Sequence, residues 1–261
     1  MINLKETTKK TILTIYPLIV ILVMWQLVSI LLFKDSILFP SPYKVFISFY
    51  KLTIGGILLT NIIHSFFRVI IGFLIGSFLG IILGMLMGNI KQIEIFFNPI
   101  VNLLQPIPKI AWIPLAILWF GLNIKATLFI ISLATFWSVL FNTWNGVKSV
   151  NKIFMKVAKS FGAKKMYIYF NVLLPASLPQ IITGMRLGIA RAWRALIAAE
   201  LLIAGTTGIG YMIFKAREFF RTEEIIVGMI TIGVVGIFIE KVLFRTIEKK
   251  TMERWGTYQN S

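Results

Sequence analysis

The sequence predicts an all-α fold, an integral membrane bundle of six transmembrane helices. Three observations predict it. Two stretches carry no charge at all, 22 residues from Ala126 to Val147 and 19 from Val69 to Met87. An apolar run of about 18 residues is long enough to cross a bilayer as a helix. The chain of 261 residues is 57% hydrophobic and only 14% charged, against about 25% charged in a soluble domain, and its mean hydropathy is +0.85. Finally, most of the basic residues fall between the apolar spans. This composition excludes a disordered chain and argues against a soluble enzyme.

The spans follow in order at about 12–33, 62–88, 93–120, 126–147, 183–204 and 225–244, all within one membrane domain of residues 1–261. The first is too long for a signal-peptide core, and no small-x-small cleavage site follows Phe33-Lys34. Pro40 and Pro42 break the chain after it, and Tyr43 to Leu52 suits a short interfacial helix. The second carries Gly72, Gly76, Gly80, Gly84 and Gly88, one glycine per turn on a single stripe. Such a stripe lets another backbone approach closely. It serves either tight packing or a surface that slides. The third contains Pro99, Pro106, Pro108 and Pro114. Each proline removes a backbone donor, so this span must kink and lean on its neighbours.

Charge sets the orientation. With the N-terminus inside, fifteen Lys and Arg outside the spans face the cytoplasm, six of them from Lys148 to Lys165, and seven face outward. Both termini are therefore expected in the cytoplasm, and an even number of spans agrees. The net charge of +17 fits this inner-leaflet bias better than a nucleic-acid partner.

The chain has no Cys, one His (His64) and one Asp (Asp35). That leaves no disulfide, no thiolate or zinc site and no Ser-His-Asp triad. No metal or cofactor is expected. A nucleotide-binding P-loop is also missing. Gly205-Thr206-Thr207-Gly208-Ile209-Gly210 lacks the lysine, follows a membrane span and reads as an outer turn.

The loop 148–182 is the most informative segment. Ile153, Phe154, Val157 and Phe161 recur at helical spacing as an apolar stripe, with Lys152, Lys156 and Lys159 off it. Gly162 permits a turn or helix cap. A second short helix, Lys164 to Val172, follows and is expected to close at Pro175. A helix-Gly-helix of this kind either lies on a membrane surface or docks a partner, and physics alone leaves both open.

The run Ala158-x3-Gly162-x9-Val172-x-Leu174-Pro175 resembles the EAA loop of bacterial ABC importer permeases, the binding-protein-dependent inner-membrane component family. Lys156 stands where that pattern has Glu, and Val157 where it has Ala. Further stretches resemble the nitrate/sulfonate/taurine branch of the family. They are Gln105-Pro106-Ile107-Pro108, Ala111-Trp112-Ile113-Pro114-Leu115, Trp119-Phe120-Gly121, Leu173 to Pro179, Gly184-Met185-Arg186-Leu187, Arg191-Ala192-Trp193 and Ala199-Glu200-Leu201. The resemblance implies a permease in a bacterial inner membrane, working as a homodimer or paired with a close relative. It implies separate ABC ATPase subunits that receive the loop and an extracytoplasmic substrate-binding protein. The ATPase-coupling residues would be Ile153, Phe154, Lys156, Val157, Ala158, Phe161, Gly162, Leu174 and Pro175.

Ionisable residues within apolar runs are costly and face the bundle interior or water. Arg68 and Glu200 both sit toward the outer side and are expected to pair. The excess of embedded cations suggests a small anionic solute. Lys109, Arg191 and Arg194 are the pathway candidates, with Gln105 and Trp112 as polar and aromatic lining. The alternative is that these cations only stabilise packing or bind lipid headgroups, and Arg186 is expected to snorkel to the inner interface. His64 reads as an interfacial residue, and the tryptophans mostly as interface or core fillers, with Trp193 beside Trp112 as a further pathway candidate. An ion-coupled secondary transporter is the main rival, but it needs internal repeats and several embedded acids, and here only Glu200 is clearly embedded. A membrane-embedded enzyme needs clustered His, Asp or Glu, and an assembly subunit would leave uptake intact when removed.

Overall fold

The computed structural model describes residues 4–33, 36–203, 205 and 207–240. Eleven α-helices follow one another. They are α1 (Leu4–Leu31), α2 (Pro42–Ile54), α3 (Ile57–Asn89), α4 (Lys91–Leu104), α5 (Ile113–Phe120), α6 (Ile124–Ser149), α7 (Lys152–Ser160), α8 (Lys165–Ile168), α9 (Leu174–Leu202), α10 (Ile209–Glu218) and α11 (Thr222–Phe238). No strand occurs among the described residues.

Helix α6 is the axis of the fold, packed along α3 on one side and α9 on the other. The glycine stripe makes the first contact possible. A Cβ on Gly76 would lie 2.4 Å from the Ser132 carbonyl, one on Gly80 3.0 Å from that of Phe136, and one on Gly84 2.7 Å from Thr143 Cβ. Of the two readings of the stripe, backbone-close packing is the one the geometry displays. Gly184 and Gly188 of α9 meet α6 in the same way, against Asn142 and Thr135. Val69, Phe73, Ile131, Ile189, Trp193 and Leu196 form the resulting core between α3, α6 and α9.

Three helices are long and apolar enough to cross a membrane: Ile57–Asn89, Ile124–Ser149 and Lys165–Leu202. The pair α4 and α5 makes a fourth if its two halves count as one span. Here the structure differs from a merely kinked third span. The two halves meet at 95°, across the Pro106–Pro108 break and a 3₁₀ turn at Lys109–Trp112. Pro99 sits inside α4 without stopping it, and Pro114 occupies the first turn of α5. Only the closely spaced prolines remove enough successive donors to end the helix.

Other boundaries shift too. Pro175 does not close the second short helix. A π-helical turn, Tyr169–Leu173, joins α8 to α9, and Pro175 falls in the first turn of α9. The widened π-helical turn accommodates the proline ring there, while the Leu174 amide before it still donates to the Tyr169 carbonyl. The fifth span thus begins well before residue 183 and ends at Leu202. The short interfacial helix after Pro40 is present as α2, tied back to α1 by Trp25 Nε1 donating to the Pro40 carbonyl at 3.1 Å. Helix α10 was not foreseen, because its polar and apolar residues read as linker. Helix α11 covers the first part of the expected 225–244 segment, whose end lies outside the described residues.

Candidate coupling surface and translocation pathway

The loop between α6 and α9 forms a wedge at one end of the bundle. Asn151 caps α7 by accepting from the Ile153 amide at 3.0 Å. The helix ends in a two-bond cap: Ala163 N–H donates to the Ala158 carbonyl at 3.0 Å and Gly162 N–H to that of Lys159 at 2.9 Å. This geometry needs a left-handed residue at its corner, and Gly162 has φ +78°. Ala158 and Gly162, four apart in the sequence, are thus the acceptor and the corner of one turn.

Ile153, Phe154, Val157 and Phe161 are exposed, Phe161 to 87%. Lys156 is exposed beside them, and Ala158 is half-buried. Leu174 and Pro175 are not on this face. Both are half-buried at the start of α9, where Leu174 packs against the cluster of Met85, Val147, Val150, Leu173 and Ile181. They anchor the wedge rather than line it. Clustered exposed apolar side chains mark an interaction surface.

Of the candidate pathway residues, Gln105, Lys109 and Trp112 lie at the break in the third span, while Arg191 and Arg194 lie on α9. The 3₁₀ turn carrying Lys109 packs on α6 and α9. Lys109 Nζ donates to the carbonyls of Gln105 at 2.9 Å and Ile107 at 3.0 Å, oxygens left without helical partners by the break. It also lies 5.2 Å from the centre of the Trp137 ring, a cation–π distance. Arg191 of α9 is close enough for the two positive charges to repel each other. Arg194 is exposed on the same helix, its Nε donating to the Ala190 carbonyl at 3.0 Å. Gln105 is exposed, and Trp112 is half-buried with its indole N–H unpartnered. The arrangement offers two neighbouring cations and a free donor beside a bend, a setting suited to a transient anion.

Arg68 and Glu200 meet at 2.7 Å between α3 and α9. Around them is a network that sequence reasoning missed. Ser65 Oγ donates to Glu200 and accepts from the Ile209 amide at 2.9 Å. The Gly210 amide donates to Glu200 at 3.0 Å, and the Gly208 amide to Asn61 Oδ1 at 2.7 Å. Arg68 Nη2 reaches Thr207 Oγ1 at 2.8 Å. The segment expected to be a plain outer turn is therefore clasped onto α3 and α9. A Cβ on Gly208 would sit 2.3 Å from the Glu200 carboxylate, so the glycine is required there. The signal in the sequence was the Gly208-x-Gly210 spacing, which admits close approach but does not name the partner. Ala204 and Thr206 of that segment lie outside the described residues.

A second network joins α4 to the end of α6. Glu94 takes Lys91 at 3.3 Å and Lys148 in a shorter contact, and Lys148 lies 4.9 Å from the Trp144 ring. Among the described residues no cluster of His, Cys, Asp or Glu is placed to hold a metal ion.

Comparison with known proteins identifies the family. Residues 76–251 match the family described as binding-protein-dependent transport system inner membrane component. A Methanocaldococcus jannaschii protein named as an ABC transporter permease is 38% identical over 253 residues, covering 95% of this chain and 94% of its own. A Bacillus subtilis protein named as an aliphatic sulfonates transport permease is 34% identical over 240 residues, 92% and 86% of the two chains. The taurine transport system permease of Escherichia coli is 31% identical over 259 residues, 97% and 93%. The fold matches a chain from the crystal structure of an amino acid ABC transporter with histidines, at TM-score 0.62 and 17% identity, over 78% of this chain and 98% of that one. The chain belongs to the binding-protein-dependent inner membrane components, as an ABC transporter permease of the nitrate/sulfonate/taurine-type branch.

Proposed function

We propose that this permease carries a small anionic solute, of the sulfonate, nitrate or taurine kind, through the membrane at the expense of ATP hydrolysed on separate subunits. The whole chain, 1–261, acts as one domain of six spans with both termini in the cytoplasm. Two copies pair to enclose the pathway, with lipid around them, and a substrate-binding protein delivers the solute on the outer side. The observation that carries this reading is the exposed apolar face of α7 and its glycine corner, set at the end of the bundle where the lysines concentrate. A short helix seated in a groove of another subunit transmits rigid-body motion, and two packings of the bundle then alternate access to the solute.

The relatives' names support the solute class, and so do Lys109 and Arg191, whose mutual repulsion an anion relieves. Their charges attract the solute without a metal or cofactor. The test is reconstitution with the cognate ATPase and binding protein in vesicles. Solute accumulation that needs ATP and survives collapse of the proton gradient supports the reading; uptake driven by the gradient alone overturns it. Lys109→Gln is expected to cut uptake about tenfold or more at unchanged membrane level, the loss of one desolvated charge contact.

A further inference from the structure

On the inner side of the wedge lies a cleft of about 440 Å³ that the proposed coupling does not use. Its rim is Asn89 and Gln92 at the corner between α3 and α4, with Lys91, Lys159, Lys165 and Tyr169. Met155 and Leu173 form an apolar floor. Lys159 shares a helix face with Met155, four residues earlier, and Met155 packs against the bundle. This lysine therefore looks back at the membrane end of the bundle, away from the exposed Phe154 and Phe161. Lys91 is offset by Glu94, which also takes Lys148. Lys159 and Lys165 have no ion pair among the described residues.

Two uncompensated cations, one phenol and two amides above an apolar floor make a surface for a phosphate group that carries a hydrocarbon tail. We infer that this cleft holds the phosphodiester headgroup of an anionic phospholipid. Lys159 and Lys165 contact its oxygens, and its acyl chains run along the ends of α3 and α9. The place fits. The long apolar helix Ile57–Asn89 ends at this cleft, and Lys165–Leu202 begins there, at the depth where Lys and Tyr meet headgroups. Assigning it to the inner leaflet rests on the orientation proposed above, whereas the phosphate chemistry does not. A headgroup there would tether the wedge to the bilayer while its apolar face stays free.

The test uses the purified full chain in neutral detergent, titrated with phosphatidylglycerol, phosphatidylcholine or inorganic phosphate. Bound lipid is counted by native mass spectrometry, which requires no ATPase and no transport. Phosphatidylglycerol is expected to bind and phosphatidylcholine not. Lys159→Gln and Lys165→Gln each weaken binding roughly fivefold, as expected for one cation at an anionic surface. Lys159→Arg with Lys165→Arg keeps it, and Lys125→Gln, an equal charge change elsewhere, has no effect. Equal retention of the two lipids by the native chain overturns the proposal whatever the variants do. So does displacement of phosphatidylglycerol by inorganic phosphate, which would make this a site for a free anion. Binding unchanged in the double glutamine variant overturns it as well.

Discussion

Glu200 and Arg68 show how much one pair of side chains can organise. Taking either partner away leaves the other charge buried and uncompensated, a loss of about 3–5 kcal/mol. Arg68→Ala and Glu200→Ala are each expected to lower the unfolding temperature in detergent sharply. The double replacement is expected to cost less than the sum, and equal, independent effects would remove the coupling. A second residue-scale expectation concerns Gly84. Its Cβ would lie 2.7 Å from Thr143 and 2.8 Å from the Leu140 carbonyl, so α3 and α6 must part. Gly84→Ala is expected to cost about 1–3 kcal/mol, as overpacking does, measured by the same thermal assay. The sequence announced this pair of charges and the glycine stripe, because a charge in an apolar run and a period of four are visible in one dimension. It did not announce Ser65, Asn61 or Thr207, since an ordinary polar side chain becomes a ligand only through the fold.

Among the elements, the α7 corner separates two effects that usually coincide. Nothing lies within 4 Å of a Cβ at Gly162, so a larger side chain meets no clash. Only the left-handed backbone is penalised, by about 1–2 kcal/mol. Gly162→Val is therefore expected to leave the bundle intact and reorient α7. Membrane level should stay normal while ATP hydrolysis and uptake come apart, and normal uptake would count against the docking role. Phe161→Ala is expected to weaken binding of the ATPase by about 2 kcal/mol, roughly thirtyfold in Kd, with no change in folding. The helix-Gly-helix was legible from the stripe and Gly162. The course of the chain after it was not: a proline reads as a stop, and only the π-helical turn at Tyr169–Leu173 lets Pro175 begin the next helix instead. The 95° break in the third span was foreseen as a kink, since proline count signals trouble but not its angle.

For the whole molecule, fold class came directly from hydropathy, while span limits and topology depended on packing that no linear pattern contains. The proposed orientation makes a simple expectation. Reporter domains fused after Ser149 and after the last residue should be active only inside, and one fused between α10 and α11 only outside. The opposite pattern would invert the placement of the wedge and the clasp together. Packing also decides what moves with what. From Lys165 to Leu202 the helical path runs on for 38 residues, through the π-helical turn at Tyr169–Leu173 and past Pro175 and Pro179, the places where a helix bends. One tip of it stands beside the wedge, and near the other Glu200 grips the clasped segment. Beyond Pro179 the helix meets no further proline and lies packed along α6, so that part moves as a unit. A tilt of that stretch about α6 would carry Glu200, and with it the clasped segment, along.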